Sequence, residues 1–224
     1  MKSLYLGLIC LLLVSSCKSE TSEKEIIKEL TIAEKIANAY GFENWKNVEE
    51  VKFTFQVNRD SIKGNGRSWT WQPKTGKVNM AAGKKTVNYT RSHKDSINMA
   101  ADRSFINDKF WFFVPFQLVW NTTARISETK KMESPIHKTQ LNMITITYQQ
   151  EGGYTPGDAY DIFYDDQFII KEWIFRKGNS VEPSLTTTFE NYEDYNGIKI
   201  ATDHKKEDGK WNLNFTDISI TLEE

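Results

Sequence analysis

Histidine and acidic side chains are the groups in this sequence that could bind a metal ion or transfer a proton. Their spacing gives little support for either role. His93, His137 and His204 lie far apart, without the short spacing that places two ligands on one metal ion, and each is predicted to be a surface residue. An acidic run could bind calcium, but it lacks the glycine and the register of a known calcium loop. A solvated turn is the favoured interpretation of this run, which consists of Asp158, Asp161, Asp165 and Asp166.

Motifs of common catalytic sites are missing from the sequence. It contains no HExxH, GxSxG or CxxC pattern, so we predict a protein without catalytic residues, cofactor or bound metal. The formal net charge is -1, and neither sign collects strongly in one part of the chain. This balance argues against a nucleic-acid partner.

Cys17 is the residue with the clearest predicted chemistry. It follows Lys2 and an apolar stretch from Leu4 to Val14, which together are typical of a secretory signal. The tetrapeptide Val14-Ser15-Ser16-Cys17 resembles the bacterial lipobox, in which a branched apolar residue and two small residues precede a cysteine. The resemblance implies cleavage before Cys17 and attachment of lipid to its sulfur and its new amino group.

The cysteine count agrees with lipidation, because Cys10 leaves with the signal and Cys17 is then the single cysteine of the mature chain. Each buried methylene of an acyl chain contributes about 0.8 kcal/mol, so several chains anchor a protein durably in a membrane. Lys18 follows the cysteine, in place of the aspartate that retains many lipoproteins in the inner membrane. We therefore expect a location at the outer membrane, facing the periplasm or the cell surface.

Three segments follow from these features: a signal peptide over 1–16, a lipidated tether over 17–24 and a single domain over 25–224. The domain is predicted to begin with a helix over 23–40. Ser22 and Glu25 have the spacing of a capping box, and Gly41 stands where a helix often ends.

The rest of the domain is predicted to be mainly β structure. Apolar and polar residues alternate from Val51 to Asn58, which is typical of a strand with one wet face. Similar short segments recur between turn signals, of which Asn196-Gly197 is the strongest, and about ten antiparallel strands are predicted. The apolar positions of the last strand change parity near Thr216-Asp217, which predicts a β-bulge. Together these signals favour an α+β fold with a curved antiparallel sheet or partial barrel.

The stretch FWFFVPFQLVW, residues 110–120, follows a helical pattern over Asp95–Asn107. It is too short to cross a bilayer, which needs about 20 apolar residues, and Pro115 interrupts it. Two interpretations remain open: ordinary core packing, or a cover over an internal cavity.

Two short motifs carry a resemblance to a known family. One is the helix ending at Tyr40-Gly41, with Trp45 and the strand VEEVKFTF over 48–55 after it; the other is FENY over 189–192, with the turn YNGIKI over 195–200. In this order they resemble the LolA/LolB-like outer-membrane lipoprotein-sorting proteins and related lipoproteins of unknown function, over roughly residues 25 to 222. The resemblance implies an incomplete antiparallel barrel of about ten strands, with helices across its open side and a hollow that receives acyl chains.

A strongly curved sheet cannot fill its concave side from its own strands, and an empty apolar volume loses van der Waals contacts. Aromatic residues predicted to point inward are therefore candidates for binding a hydrophobic small molecule or lipid. They are Phe53, Phe55, Trp69, Trp71, Tyr89, Trp111, Phe113 and Phe116.

Two alternatives stay open at this point. The first is a structural or protein-interaction lipoprotein of the cell envelope with a fully packed core. The second, less favoured, is a hydrolase or a glycan binder in which exposed Trp69 and Trp71 stack on sugars.

Overall fold

A computed structural model describes residues 29–93, 95–151 and 156–223. The predicted signal peptide, Cys17 and the predicted tether lie outside these residues, so the lipidated anchor stays a prediction. No helix in the described ranges is long and apolar enough to cross a membrane.

The first helix, α1, spans Ile32–Ala39 and is shorter than predicted. Residues 29–31 are not helical, and the predicted capping pair Ser22 and Glu25 lies outside the described residues. The helix begins where it does because Thr31 and Glu34 form a capping box: Glu34 N donates to Thr31 Oγ1 at 3.2 Å, and Thr31 N donates to Glu34 Oε2 at 2.7 Å. Its predicted end is confirmed, since Gly41 follows at φ 78°.

Thirteen strands are present in the described residues, against about ten predicted. Those of the first half are β1 (Val48–Arg59), β2 (Arg67–Gln72), β3 (Lys77–Ala82), β4 (Lys85–Thr90), β5 (Arg125–Ile126) and β6 (Lys130–Glu133). Those of the second half are β7 (Gln140–Thr147), β8 (Ala159–Tyr164), β9 (Ile170–Arg176), β10 (Leu185–Thr188), β11 (Glu190–Tyr195), β12 (Ile198–Lys205) and β13 (Trp211–Leu222). The strands β5 and β6, of two and four residues, are too short to show a period of two.

All strand pairs are antiparallel and form two sheets. The first has the order β11-β12-β13-β1-β2-β3-β4, and the second has the order β10-β9-β8-β7-β5, with β6 also paired to β7. The chain passes directly from the second sheet into the first at Phe189, whose N–H donates to Lys171 O at 2.7 Å. Beside it, Lys205 N donates to Thr188 Oγ1 at 3.1 Å and closes the seam between β10 and β12. The result is the predicted incomplete barrel.

The predicted bulge in the last strand is confirmed. Lys52 pairs with Ser219 and Thr54 with Thr216, so two residues of β13 oppose Phe53 alone. Asp217 takes a positive φ of 51° at this point. The extra residue returns the apolar positions after the bulge to the concave face, as the change of parity in the sequence requires.

Residues between β4 and β5 cover the open side of the barrel with two helices, α2 (Ser96–Phe112) and α3 (Val114–Trp120). The aromatic stretch 110–120 therefore forms the end of α2 and the whole of α3. Pro115 lies in the first turn of α3. Backbone N–H groups in a first turn make no hydrogen bond within the helix, so proline is tolerated there although it lacks an N–H. Phe112 stacks on Phe53 of β1 with ring centroids 4.4 Å apart, which fixes this stretch against the first sheet.

Candidate functional site

Two buried carboxylates fasten α2 to the first sheet. Asp108 accepts hydrogen bonds from Arg67 Nε at 2.8 Å, from Arg67 Nη2 at 2.7 Å and from Trp69 Nε1 at 2.8 Å. Six residues earlier in α2, Asp102 accepts from Tyr89 Oη at 3.2 Å and from Arg91 Nε at 3.1 Å. These bonds tie the helix to β2 and to the end of β4, so the space between α2 and the first sheet is filled.

A cavity of about 700 Å³ lies on the other side of the helices, between α2, α3 and the second sheet. Its floor is aromatic: Trp173 is buried at 1 % exposure, and Tyr160 is also buried. The tilted pair of these two rings has a centroid separation of 5.0 Å, and Phe110 of α2 packs over Tyr160 at 5.0 Å. Leu185 of β10 and the half-buried Trp111 complete the apolar wall.

Polar residues surround the opening of this cavity. Arg103, Asn107, Gln149 and Glu151 line it and are exposed to solvent. Asp158 also lines it, but is buried and accepts a hydrogen bond from Gly178 N at 2.8 Å. The rim thus carries one cation and two carboxylates.

Two tyrosine hydroxyls stay protonated inside the site. Burial raises the pKa of Tyr148 well above its usual range, and Asn121 beside its hydroxyl partly opposes this. Burial likewise raises the pKa of Tyr160, and the neighbouring Tyr148 and Asp158 add to the shift. The cavity therefore offers neutral hydroxyl groups, and nothing in this pair is poised to act as a base.

The structure separates the eight aromatic residues that the sequence singled out. Trp111 lines the cavity. The other seven are buried in the core around the first sheet and do not line it: Phe53, Phe55, Trp69, Trp71, Tyr89, Phe113 and Phe116. In this core Trp69 and Trp71 pack on Phe105 of α2, at 5.3 and 5.4 Å between ring centroids. Their role as ligand contacts stays a prediction that the geometry of the cavity does not favour.

Most of the cavity wall comes from residues that the sequence analysis did not single out. Trp173 and Phe175 stand two residues apart in β9, with Ile174 between them on the opposite face, and Tyr160 of β8 pairs with Phe175. This alternation shows which residues point to one face, and it was available in the sequence. The sequence does not show that the helices pack closely on the first sheet and leave a cavity against the second.

Three sequence predictions about polar and aromatic surfaces need correction. Trp69 and Trp71 are 2 % and 6 % exposed, so they cannot form a glycan platform, because the helix α2 covers them. His204 is fully buried among aromatic rings, although it was predicted on the surface. The acidic run is not one solvated turn, since Asp158 is buried and Asp161 pairs with Arg176 at 2.9 Å.

No group of three His, Cys, Asp or Glu residues suited to a metal ion occurs in the part of the chain that the structure describes. The arrangement defines a non-closed antiparallel barrel with helices on its concave face and an apolar cavity beneath them.

Comparison with solved structures finds proteins of similar architecture. One is a LolA superfamily protein from Nitrosomonas europaea, with a TM-score of 0.48 and 10% sequence identity, covering 87% of this chain and 96% of that one. Another is a DUF1329 family protein from Desulfovibrio piger, with a TM-score of 0.42 and 8% identity, covering 85% of this chain and 93% of that one. The first of these structures carries the name of the family that the sequence resembles. No family model and no curated protein matches the sequence.

Proposed function

We propose that this protein is a non-enzymatic binding protein that holds a hydrophobic ligand, an acyl chain or lipid, in the cavity between α2, α3 and the second sheet. The single observation that carries the proposal is the cavity itself, about 700 Å³ with an aromatic floor. Sites for small molecules have volumes of roughly 300–1,000 Å³, apolar walls and a few placed polar groups. The floor of Tyr160 and Trp173 and the polar rim around Arg103 have this composition.

The packing of the helices supports the same proposal. Asp102 and Asp108 hold α2 on the first sheet, and the stacked rings of Phe112 and Phe53 fill the space there. On the side of the second sheet Phe110 packs over Tyr160, and a cavity remains beside these rings. Covering the apolar wall of this cavity with a ligand would contribute roughly 25 cal/mol for each Å² removed from water.

A brominated lipid tests the location of the ligand, because bromine quenches tryptophan fluorescence on contact. Only Trp111 and Trp173 among the described tryptophans line the cavity. We expect methyl dibromostearate to quench the wild-type protein, and the double variant Trp111→Phe/Trp173→Phe to lose most of this quenching. The control is Trp71→Phe, which removes a buried tryptophan outside the cavity and should keep the quenching. Quenching that depends on Trp71 instead would place the ligand in the pocket first predicted from the sequence.

A blocking variant gives an independent readout of the same site. Leu185→Trp adds a large ring to the cavity wall and should reduce lipid affinity at least about tenfold, which corresponds to 1.4 kcal/mol. Met132→Trp is the matched control, since Met132 is 40% exposed on β6, away from the cavity. Native mass spectrometry of residues 18–224 completes the test. A clean apo mass that stays unchanged after lipid is added would favour the alternative, an envelope lipoprotein that binds protein partners.

We also propose that Cys17 is lipidated and holds the protein at the outer membrane, facing the periplasm or the cell surface. The support is the sequence alone: the signal pattern, the tetrapeptide 14–17 and Lys18 after the cysteine. Cys17→Ser should release the protein from the membrane fraction and abolish incorporation of labelled palmitate, whereas Cys10→Ser should change neither. Palmitate incorporation that persists in Cys17→Ser contradicts the anchor.

A further inference from the structure

Four buried polar atoms that make no hydrogen bond of good geometry lie together behind the cavity. They are Trp173 Nε1, Thr187 Oγ1 and the two ring nitrogens of His204, on the strands β9, β10 and β12. In the described residues only two other buried side-chain atoms lack a partner, on Gln56 and Gln117. Since buried polar groups are nearly always hydrogen-bonded, four such atoms in one region indicate a missing polar group.

The contacts place these side chains next to one another and next to the cavity. Thr187 and Trp173 are direct partners in the β9–β10 ladder. His204 lies across the seam, with its ring 4.5 Å from the ring of Phe189. Trp111 lines the cavity on one side, and its ring lies 4.3 Å from Trp173 and 5.4 Å from His204 on the other. The ring of Trp111, together with the ring of Trp173 that also lines the cavity, therefore separates the cavity from Thr187 and His204.

We propose that this cluster, Trp173, Thr187 and His204, is an inner polar compartment of the ligand site, and that it binds the uncharged hydroxyl or carbonyl head of an amphiphile whose chain fills the cavity. The proposal rests on the proposed function and names the class of ligand. The half-buried ring of Trp111 has to turn aside for the head to enter.

The chemistry of the cluster selects a neutral head. Indole offers a donor, the threonine hydroxyl a donor and acceptors, and neutral imidazole one of each. Burial lowers the pKa of His204 to about 3, against the opposing effects of the nearby Thr188 backbone and of Asp203 and Glu190, so the ring carries no charge at neutral pH. An anionic head would lose its hydration here without meeting a cation, which is strongly unfavourable. The rim carries two carboxylates, on Glu151 and Asp158, against the single cation Arg103, so it does not favour anions either.

Three probes with the same chain and different heads test the proposal: 1-dodecanol, dodecane and dodecanoate, each in competition with a fluorescent apolar dye on residues 18–224. We expect the wild-type protein to bind dodecanol about tenfold more tightly than dodecane or dodecanoate. Thr187→Val keeps the shape and removes the hydroxyl, so it should remove most of the preference for dodecanol and leave dodecane binding unchanged. Thr186→Val on the same strand, which is half-buried, is the control and should keep the preference.

Thermal denaturation separates a binding role from a structural one. Thr187→Val removes a buried hydroxyl without a partner, so the melting temperature of the ligand-free protein should stay the same or rise while the affinity for dodecanol falls. Thr187→Ser, which keeps a hydroxyl, should retain the preference for dodecanol.

The outcomes distinguish the two proposals. Equal binding of dodecanol and dodecane, or tighter binding of dodecanoate, overturns the inner compartment while the cavity function stands. Failure of all three probes to bind the folded wild-type protein contradicts the proposed function itself. A fall in the melting temperature of Thr187→Val together with an unchanged preference for dodecanol shows a purely structural hydroxyl and also overturns the compartment.

Discussion

Replacement of Asp108 by asparagine is expected to lower the free energy of unfolding by about 3 kcal/mol. The loss is this large because the carboxylate is buried and pairs with a cation. Asp108 is fully buried and receives three hydrogen bonds from the first sheet, two of them from Arg67. An asparagine keeps the volume but turns a donor toward Arg67 and Trp69, and it removes the charge that Arg67 faces. Removal of one partner of a buried ion pair costs about 3–5 kcal/mol; we expect the lower end, because the Arg67 side chain is 36% exposed and water can reach it.

Urea denaturation at pH 7 measures this loss. The matched control is Asp166→Asn, another aspartate paired with a cation, Lys131 at 2.9 Å, but with a side chain that is 74% exposed. Water screens that pair, so the control should leave the stability nearly unchanged. Arg67→Gln in both backgrounds completes a double-mutant cycle, and a coupling energy near zero would show that the ion pair does not fasten α2.

Acid should destabilise this protein through His204. The buried imidazole has a pKa of about 3 in the folded protein, mainly because burial disfavours its charged form, whereas an exposed histidine has a pKa of about 6.5. Between these values the unfolded chain binds a proton that the folded protein does not. The contribution of His204 to the free energy of unfolding is therefore fully present above pH 6.5. Below this pH it falls by about 1.4 kcal/mol for each pH unit, until about pH 3.

The variant His204→Leu isolates this contribution. It removes the titrating ring and the two nitrogens that lack partners, so the slope of stability against pH between 6.5 and 4.5 should become much flatter than in the wild type. His93→Asn, at an exposed histidine, should keep the wild-type slope. Melting temperatures at half-unit steps of pH give the comparison, and equal slopes for wild type and His204→Leu would contradict a neutral buried His204.

Both residues lie near the proposed ligand site, on opposite sides of it. Asp108 holds α2 on the first sheet, and His204 lies behind the wall of the cavity that remains against the second sheet. A loss at Asp108 should free the helix to collapse into the cavity. Stability and ligand affinity are therefore expected to fall together in Asp108→Asn, whereas Thr187→Val separates them.

Local signals in the sequence determined the class of fold. The Asn196-Gly197 turn and the parity change near Asp217 each describe neighbouring residues, and the structure confirms both. The alternation from Val51 to Asn58 correctly predicts a strand, but its predicted wet face is wrong at Thr54 and Gln56, which are buried. The start of α1 was misplaced because two capping patterns occur, and the one at Thr31 and Glu34 is the one formed in the described chain.

Tertiary packing decided where the cavity lies. The same aromatic richness marks both sheets, so inward-pointing rings such as Phe53 and Trp71 look no different in sequence from Tyr160 and Trp173. Whether side chains fill the concave side of a sheet or leave a cavity there depends on which sheet the helices pack against. That contact is set by pairs far apart in the chain, above all Asp108 with Arg67, whose partnership no local period reveals. The sequence by itself determined most of the strands and turns, and it predicts the anchor at Cys17. Only the three-dimensional pairing of α2 with the first sheet placed the cavity against the second sheet.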